Sequence, residues 1–323
     1  MAATPKISDD TDEVAQALAS GDIRTCARLI TRIERGDTQL VPLLQRLYRM
    51  GGQGRTVGIT GPPGAGKSTL VNQLVKVWRR RGLSVAVLAV DPSSPFSGGA
   101  VLGDRFRMVE HGCDEGVFIR SMASRGQLGG LAKAAGDALT ALCAMPWDIV
   151  LIETVGVGQN ETDIMRHAEV VVLLQTPMGG DDMQAAKAGV LEIADIFVVN
   201  KSDHPQADQT VRQLSEMVTL GQCLHPDRSW VPPVMKVQAN CGDGVVDLVD
   251  QIERRFAHLT ANPEIAKRFQ GERLKHRVGE ILQDMLRQRM RSNDDGWLNG
   301  MIAPVVARQS DPYELAASLL ARI

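Results

Sequence analysis

Seven short runs of aliphatic and β-branched residues alternate with helical patterns through the middle of the chain. The runs are TVGIT, SVAVLAV, VFIRS, DIVLIET, EVVVLLQT, DIFVVN and VPPVMKVQA. Runs that are almost continuously apolar suit strands whose sheet is covered by helices on both faces. The pattern therefore predicts an α/β fold with a doubly wound, mostly parallel sheet.

Helical patterns flank this α/β core on both sides. We expect an N-terminal helical segment over residues 1–52, where apolar positions recur at three- and four-residue spacing. A glycine-rich joint then opens the core domain, residues 53–260. The C-terminal helical arm, residues 261–323, should contain a long charged helix over 263–292 and a short helix over 312–322.

The long helix of the predicted arm carries an apolar stripe. Leu274, Val278, Ile281 and Met285 recur at three- and four-residue spacing, which suits packing within the chain or against a partner helix. An arm that leaves the core this late in the chain favours self-association. We therefore expect a homodimer that is joined through the arm, with the basic residues beside the stripe forming a solvated face.

Charge and composition narrow the class of protein. The 323 residues contain 36 basic and 38 acidic side chains, a balance that gives no reason to expect a nucleic-acid or membrane surface. No apolar run approaches the roughly 20 residues that span a bilayer, and the acidic, polar N-terminus does not resemble a secretory signal. Five scattered cysteines favour reduced thiols and a cytoplasmic location.

A phosphate-binding loop follows the first predicted strand. It has a glycine, four further residues and then Gly66-Lys67-Ser68, which is the Walker A pattern of a P-loop NTPase. Glycines let main-chain N–H groups converge on phosphates, Lys67 would neutralise the β- and γ-phosphates, and Ser68 would ligate Mg²⁺. The predicted nucleotide-binding residues of the loop are Gly61, Pro62, Pro63, Gly64, Ala65, Gly66, Lys67, Ser68 and Thr69.

The base is predicted to be guanine. NKSD follows a buried strand, where a guanine-reading loop belongs, and its Asp203 would accept hydrogen bonds from two donors that adenine lacks. In the same loop Asn200 would contact the base and Lys201 would pack against it. QAN, after the last strand, fits the accessory loop, with Ala239 and Asn240 near the guanine.

Acidic residues at strand ends are candidates for the magnesium shell and the catalytic site. Glu153 ends a hydrophobic strand, and it could hold Mg²⁺ directly or through water, while the amide of Gly156 could sense the γ-phosphate. Asp91 ends another strand and Asp104 follows it, and either could join the metal shell. Lys67, Asp91, Glu153 and Gly156 are therefore the predicted catalytic residues, and intrinsic turnover should be slow because no arginine finger is evident.

Four segments together resemble one family. GPPGAGKST, VDPSSPFSGGAVLGDRFRM, ETVGVGQNE and GGDDMQAAKAGVLEIADIFVVNKSD are similar to the methylmalonyl-CoA mutase-associated GTPases, the MeaB/ArgK family. The resemblance implies a homodimeric G-protein chaperone that hydrolyses GTP to GDP and phosphate. It also implies that the client is an adenosylcobalamin-dependent acyl-CoA mutase. The chaperone would gate the loading of adenosylcobalamin from an adenosyltransferase into this mutase, and it would protect or restore the activity of the mutase.

The same resemblance assigns roles to individual residues. It places Ser68, Asp91, Asp104 and Glu153 in the metal and switch site. It also assigns GGDDMQAAK as a further switch segment that communicates with the mutase. The residues given this role are Asp181, Gln184 and Lys187. Without the family, this segment indicates only a helix capped by an aspartate.

Two other functions fit a P-loop protein. A GTPase metallochaperone for nickel or zinc would need clustered soft ligands, and His111-x-Cys113 and Cys223-x-His225 each supply only two. A small-molecule kinase would need a base for the substrate hydroxyl, and NKSD argues against ATP. Both remain alternatives to the mutase chaperone.

Overall fold

The computed structural model describes residues 10–52, 54–91, 111, 113–123, 130–154, 163, 165–177, 193–224, 229–292 and 302–320. The chain divides into two compact units, Met1–Arg273 and Leu274–Ile323. The division falls inside a helix, Pro263–Ser292, whereas the sequence places the end of the core domain at residue 260. The domain boundaries after residues 52 and 260 stay predictions.

One sheet of seven parallel strands forms the centre of the first unit. Its strands are β1 Arg55–Thr60, β2 Val85–Asp91, β3 Val117–Ala123, β4 Ile149–Thr154, β5 Val170–Gln175, β6 Ile196–Val199 and β7 Val234–Lys236. Their order is β3-β2-β4-β1-β5-β6-β7, and every pairing is parallel. The α/β fold with a mostly parallel sheet is confirmed.

Helices connect and flank these strands. They are α1 Thr11–Ala19, α2 Ile23–Glu34, α3 Val41–Met50, α4 Lys67–Arg80, α5 Gly130–Cys143, α6 Ala207–Leu224, α7 Val245–Ala261, α8 Pro263–Ser292 and α9 Pro312–Leu320. The first two begin where an aspartate accepts hydrogen bonds from the first-turn amides, Asp10 for α1 and Asp22 for α2. In the described part of the chain, no helix is long and apolar enough to cross a membrane.

Both faces of the sheet are buried, because successive residues of a strand point to opposite faces. Val57 and Ile59 of β1 pack on the side of α4 and α7. The opposite face carries Val150 and Ile152 of β4 and packs with α1, α2, α3 and α5. The predicted N-terminal helices therefore complete one of the two helical layers.

The parallel arrangement brings the important loops together. Since all the strands run the same way, their carboxyl ends lie at one edge of the sheet. β1 is central, between β4 and β5, and leads directly into the glycine-rich loop before α4. β4, β6 and β7 end at the same edge, where ligands of open α/β sheets bind.

The second unit, taken by itself, contains an exposed apolar stripe on α8. Its members Leu274, Val278, Leu282 and Met285 are between 37% and 59% exposed. Their spacing of four, four and three residues places them on one face of the helix. Ile281, which the sequence pattern placed in the stripe, is only half-exposed. The exposed stripe therefore contains Leu282 in place of Ile281.

Candidate nucleotide-binding site

The glycine-rich loop turns back tightly between β1 and α4. Gly61 has a φ of 152°, and a Cβ there would lie 2.5 Å from the carbonyl oxygen of Leu174. Gly66 has a φ of 87°, and its Cβ would lie 2.4 Å from Nδ2 of Asn200. Both positions therefore require glycine on two grounds, the left-handed backbone and the close approach of a neighbouring strand or loop. The helix that starts at Lys67 directs its positive dipole end at this loop.

Lys67 and Ser68 are buried at the start of α4, and each contacts a polar neighbour. The Lys67 ammonium donates to the carbonyl oxygens of Gly61, at 2.8 Å, and Pro62, at 3.0 Å. The Ser68 hydroxyl donates to Oε1 of Glu153 at 2.6 Å. Glu153 is only 4% exposed. Glu153, the next-to-last residue of β4, and the two polar residues of the P-loop thus lie together.

Asn200 ties three loops together with its side-chain amide. Nδ2 donates to the carbonyl oxygen of Ala65 in the P-loop at 2.7 Å. Oδ1 accepts from the main-chain N–H of Ala239 at 3.0 Å. Asn200 itself is 3% exposed. Because both halves of the amide are engaged by protein, Asn200 holds the P-loop, the NKSD loop and the QAN loop in one arrangement.

The loop after β7 presents its main chain to the same site. Gln238 closes a tight turn, since its N–H donates to the Asp243 carbonyl at 3.0 Å and its carbonyl accepts from Gly242 at 2.9 Å. Ala239 gives its N–H to Asn200. Within the described residues, the N–H of Asn240 donates to no other group. Ala239 and Asn240 are both predicted to lie near guanine, and of the two it is Asn240 whose main-chain N–H is available to a ligand.

The remaining residues of NKSD are at the surface. Lys201 has a positive φ of 56° and is exposed, and Asp203 is exposed two residues later. The Ser202 N–H donates to the Val237 carbonyl at 3.2 Å, which joins this loop to the end of β7. The loop is thereby held beside the QAN loop.

These loops enclose a cavity of about 430 Å³, a size typical of small-molecule sites. It lies at the carboxyl edge of the sheet, between the P-loop, Glu153 and the NKSD and QAN loops, which we call the base-side loops. Asp203, the predicted guanine reader, is not part of its lining. Its lining is formed by Pro63, Gly64, Gly66, Lys67, Ser68, Thr69, Glu153, Asn200, Lys201, Gln238, Ala239 and Asn240. Gln238 was not among the individually predicted site residues, although it is the first residue of the QAN segment that predicts the accessory loop.

Several predicted site residues cannot be placed in this cavity. Asp91 ends β2 at the carboxyl edge, but its side chain lies outside the described part of the structure. The other residues that lie outside the described residues are Asp104, Gly156, Asp181, Gln184 and Lys187. Their roles stay predictions.

The oxygen donors of the cavity fit a magnesium ion. The Ser68 hydroxyl and the Glu153 carboxylate lie within hydrogen-bonding distance of each other, buried at the end of the P-loop. Hydroxyl and carboxylate oxygens are hard ligands of the kind that Mg²⁺ takes beside nucleotide phosphates. Among the described residues, no three His, Cys, Asp or Glu side chains gather as a metal site. The His111 ring, a candidate soft ligand, has its Nε2 2.7 Å from Oδ1 of Asn72.

Comparisons with known proteins agree with this geometry. The family model described as methylmalonyl Co-A mutase-associated GTPase MeaB matches residues 26–295. A Pyrococcus horikoshii protein named as a GTPase is 43% identical over 312 residues, which cover 97% of this chain and 98% of that protein. The mouse protein named methylmalonic aciduria type A homolog, mitochondrial, is 36% identical over 81% of this chain and 66% of its own length.

A solved structure shows the same fold. It is described as an LAO/AO transport system kinase and superimposes with a TM-score of 0.70, covering 98% of this chain and 99% of that one. Its sequence identity of 24% makes this a likeness of fold alone.

Proposed function

Because the chain belongs to the family of methylmalonyl-CoA mutase-associated GTPases, MeaB, we propose that it is a nucleotide-dependent chaperone of an adenosylcobalamin-dependent acyl-CoA mutase. Membership of this family confirms the resemblance seen in the sequence, and it makes the chain a GTPase that binds guanine nucleotides. The proposed task is to gate the loading of adenosylcobalamin from an adenosyltransferase and to protect or reactivate the mutase. The match of residues 26–295 to the mutase-associated family carries the proposal of a mutase client. The cavity in which Asn200 joins the P-loop to the QAN loop supports its nucleotide dependence.

The P-loop would bind the triphosphate. Its main-chain N–H groups and the dipole of α4 attract the phosphates. The Lys67 ammonium, which donates to two P-loop carbonyls, would neutralise the β- and γ-phosphates. Stabilising this charge is the main work of a phosphoryl-transfer site.

Magnesium is the proposed metal. Ser68 and Glu153 would hold it, with Asp91 and Asp104 as further candidates for its shell. When bound, the ion would neutralise charge that develops on the phosphate oxygens. The carboxylate of Glu153 orients the Ser68 hydroxyl, because the two are already hydrogen-bonded.

Guanine would be read at the other end of the cavity. Asp203 would accept hydrogen bonds from the two donors on the guanine edge. The main-chain N–H of Asn240 would donate a hydrogen bond to the carbonyl oxygen of guanine. Lys201 would pack against the base. Asn200 positions the loops, since its amide is engaged by Ala65 and Ala239. A polar site of this kind discriminates strongly, because adenine would leave its groups unpaired.

Hydrolysis would be coupled to the mutase through loops near the cavity. Gly156 would sense the γ-phosphate, and Asp181, Gln184 and Lys187 would communicate with the mutase. The nucleotide would order these segments and hydrolysis would release them.

The five cysteines are free, in keeping with the cytoplasm that we propose as the compartment.

The protein would be a homodimer joined through its arm. The stripe of Leu274, Val278, Leu282 and Met285 exposes apolar surface on one face of α8, and a second copy would bury it. Light scattering of the full chain should give the mass of a dimer. Leu282→Glu places a charge in the stripe and should give monomers with unchanged GTP affinity, whereas a persistent dimer would place the interface elsewhere.

The client is tested by turnover. Addition of the adenosylcobalamin-dependent mutase that co-purifies with the protein from its native cell should accelerate GTP hydrolysis, because the mutase would order the switch segments. A mutase that forms a complex and leaves the rate of phosphate release unchanged would refute the coupling.

A further inference from the structure

Gln238, the first residue of the QAN loop, lines the nucleotide cavity. Its main-chain groups are both engaged in the turn, since the N–H donates to the Asp243 carbonyl at 3.0 Å and the carbonyl accepts from the Gly242 N–H at 2.9 Å. No hydrogen bond involves the Gln238 side chain within the described residues. What this residue can offer a ligand is therefore its side-chain amide, with an acceptor oxygen and an N–H₂ donor group.

Gln238 stands at the base end of the cavity. Its neighbours in sequence, Val237 and Ala239, are buried in the core, whereas Gln238 is half-buried. The Val237 carbonyl accepts from the Ser202 N–H at 3.2 Å, which holds the QAN loop against the NKSD loop one residue before Asp203. Asp203 itself is exposed. A half-buried amide beside the predicted guanine reader is thus available to the same base.

Guanine has one donor more than the proposed contacts use. Its edge carries N1–H and an exocyclic amine with a pair of hydrogens, and Asp203 would accept from N1–H and from one hydrogen of the amine. The other amine hydrogen also needs an acceptor, because a donor that is shielded from water without one costs free energy. The side-chain oxygen of Gln238 can accept it.

The other side chains that line the base end are less suited to this contact. Lys201 carries donors alone, and the oxygen of the Asn200 amide already accepts from the Ala239 N–H at 3.0 Å. Asn240 has an amide of its own, but it is exposed, so water competes for its hydrogen bonds. Since Gln238 is half-buried, its amide is better shielded from this competition.

We propose that Gln238 is a specificity-determining residue, whose side-chain oxygen accepts a hydrogen bond from the exocyclic amine of guanine. The inference rests on the proposed binding of guanine nucleotides in this cavity. A residue that served only the turn would be replaceable, because its main-chain hydrogen bonds do not depend on the side chain. A base contact instead links the identity of the side chain to one functional group of the ligand.

Gln238→Met tests the proposal with two nucleotides that differ in that amine. Methionine is also long and unbranched, but its thioether is a weak acceptor. IDP contains hypoxanthine, which is guanine without the exocyclic amine. Calorimetry in magnesium buffer should show GDP binding about fivefold weaker than to wild type. The Kd for IDP should stay within about twofold of wild type, because IDP has no amine to lose a contact.

Two further variants complete the test. Gln238→Glu keeps an acceptor oxygen, so it should retain the wild-type preference for GDP over IDP. Gln209→Met is the matched control, because Gln209 is exposed on α6 and is not part of the cavity lining, and both of its Kd values should equal those of wild type. If Gln238→Met does not fold, Gln238→Ala takes its place with the same expectations.

Three results would overturn the inference. Gln238→Met could weaken GDP and IDP equally, which makes Gln238 a turn residue, or leave the Kd for GDP unchanged. Gln238→Glu could lose the preference for GDP, which excludes the oxygen as the contact. The loss in Gln238→Met could disappear with 2′-deoxy-GDP, which places the contact on the ribose.

The same titrations separate this inference from the proposed function. Wild-type protein that is folded and binds neither GDP nor GTP contradicts the nucleotide site itself. Wild-type protein that binds GDP, together with a Gln238→Met variant that keeps the full preference for GDP over IDP, refutes the role of Gln238 alone.

Discussion

Asn200→Ala should weaken the binding of GTP and GDP by up to about 30-fold, or lower the unfolding temperature instead, because it orphans two buried main-chain groups. The carbonyl of Ala65 and the N–H of Ala239 lie in residues that are 0% and 2% exposed, and both are satisfied by the Asn200 amide. Each orphaned group costs about 1–3 kcal/mol. Water can enter the space that the side chain leaves, so the lower end applies, a total of about 2 kcal/mol.

That energy is divided between two measurable quantities. If the loops stay in place without nucleotide, the loss appears as a lower unfolding temperature. If they separate, nucleotide must bring them together, and 2 kcal/mol corresponds to about 30-fold in Kd. Calorimetry with magnesium and GDP, run beside thermal unfolding, measures both. Since the two losses share one source, at least one of them must be seen.

Two further variants sharpen this test. Asn200→Asp keeps an acceptor for the Ala239 N–H but turns an oxygen towards the Ala65 carbonyl, so it should bind nucleotide no better than Asn200→Ala. Asn262→Ala is the matched control, because it removes one side-chain hydrogen bond, to the His258 carbonyl, outside the cavity lining. Wild-type affinity together with wild-type unfolding temperature in Asn200→Ala would refute the bridging role.

Three other predictions follow from the site and the core. Lys67→Ala should reduce phosphate release to background, and full activity would overturn the assignment of the P-loop. Glu153→Gln keeps an acceptor for the Ser68 hydroxyl but loses the charge, so the Mg²⁺ concentration for half-maximal turnover should rise about tenfold, and an unchanged value would remove Glu153 from the metal shell. Burial raises the pKa of the Cys26 and Cys143 thiols to about 12, which keeps them protonated and unreactive at pH 8. Mass spectrometry after alkylation of the native protein should therefore find label only on exposed thiols, and labelling of Cys26 would contradict its burial. The exposed thiols are Cys113, Cys223 and Cys241.

Much of the fold could be predicted because its determinants are local. Each apolar run lies within or around one observed strand, and the long helix predicted over 263–292 is observed as Pro263–Ser292. The last run was too long: only Val234–Lys236 forms a strand, since the two prolines before it cannot donate to the sheet. The strand order could not be predicted, because it depends on which runs pair across the whole chain.

The candidate site also has features that the sequence predicts and features that it does not. The P-loop is a local pattern, and the hydrogen bond between Ser68 and Glu153 follows from placing two strand ends side by side. The bridge made by Asn200 is different. It joins Ala65 and Ala239, each far from Asn200 in the chain, and NKSD alone indicates a base contact as readily as a bridge.

The cavity should bind a guanine nucleotide through the P-loop and the two base-side loops. Calorimetric titration of the full-length wild-type protein with GTP and with ATP, both in magnesium buffer, tests it most directly. We expect saturable binding of GTP and an affinity for ATP at least about a hundredfold lower, since adenine leaves the polar groups of the site unpaired. Equal affinities for the two nucleotides, or no heat of binding with GTP on folded protein, would contradict it.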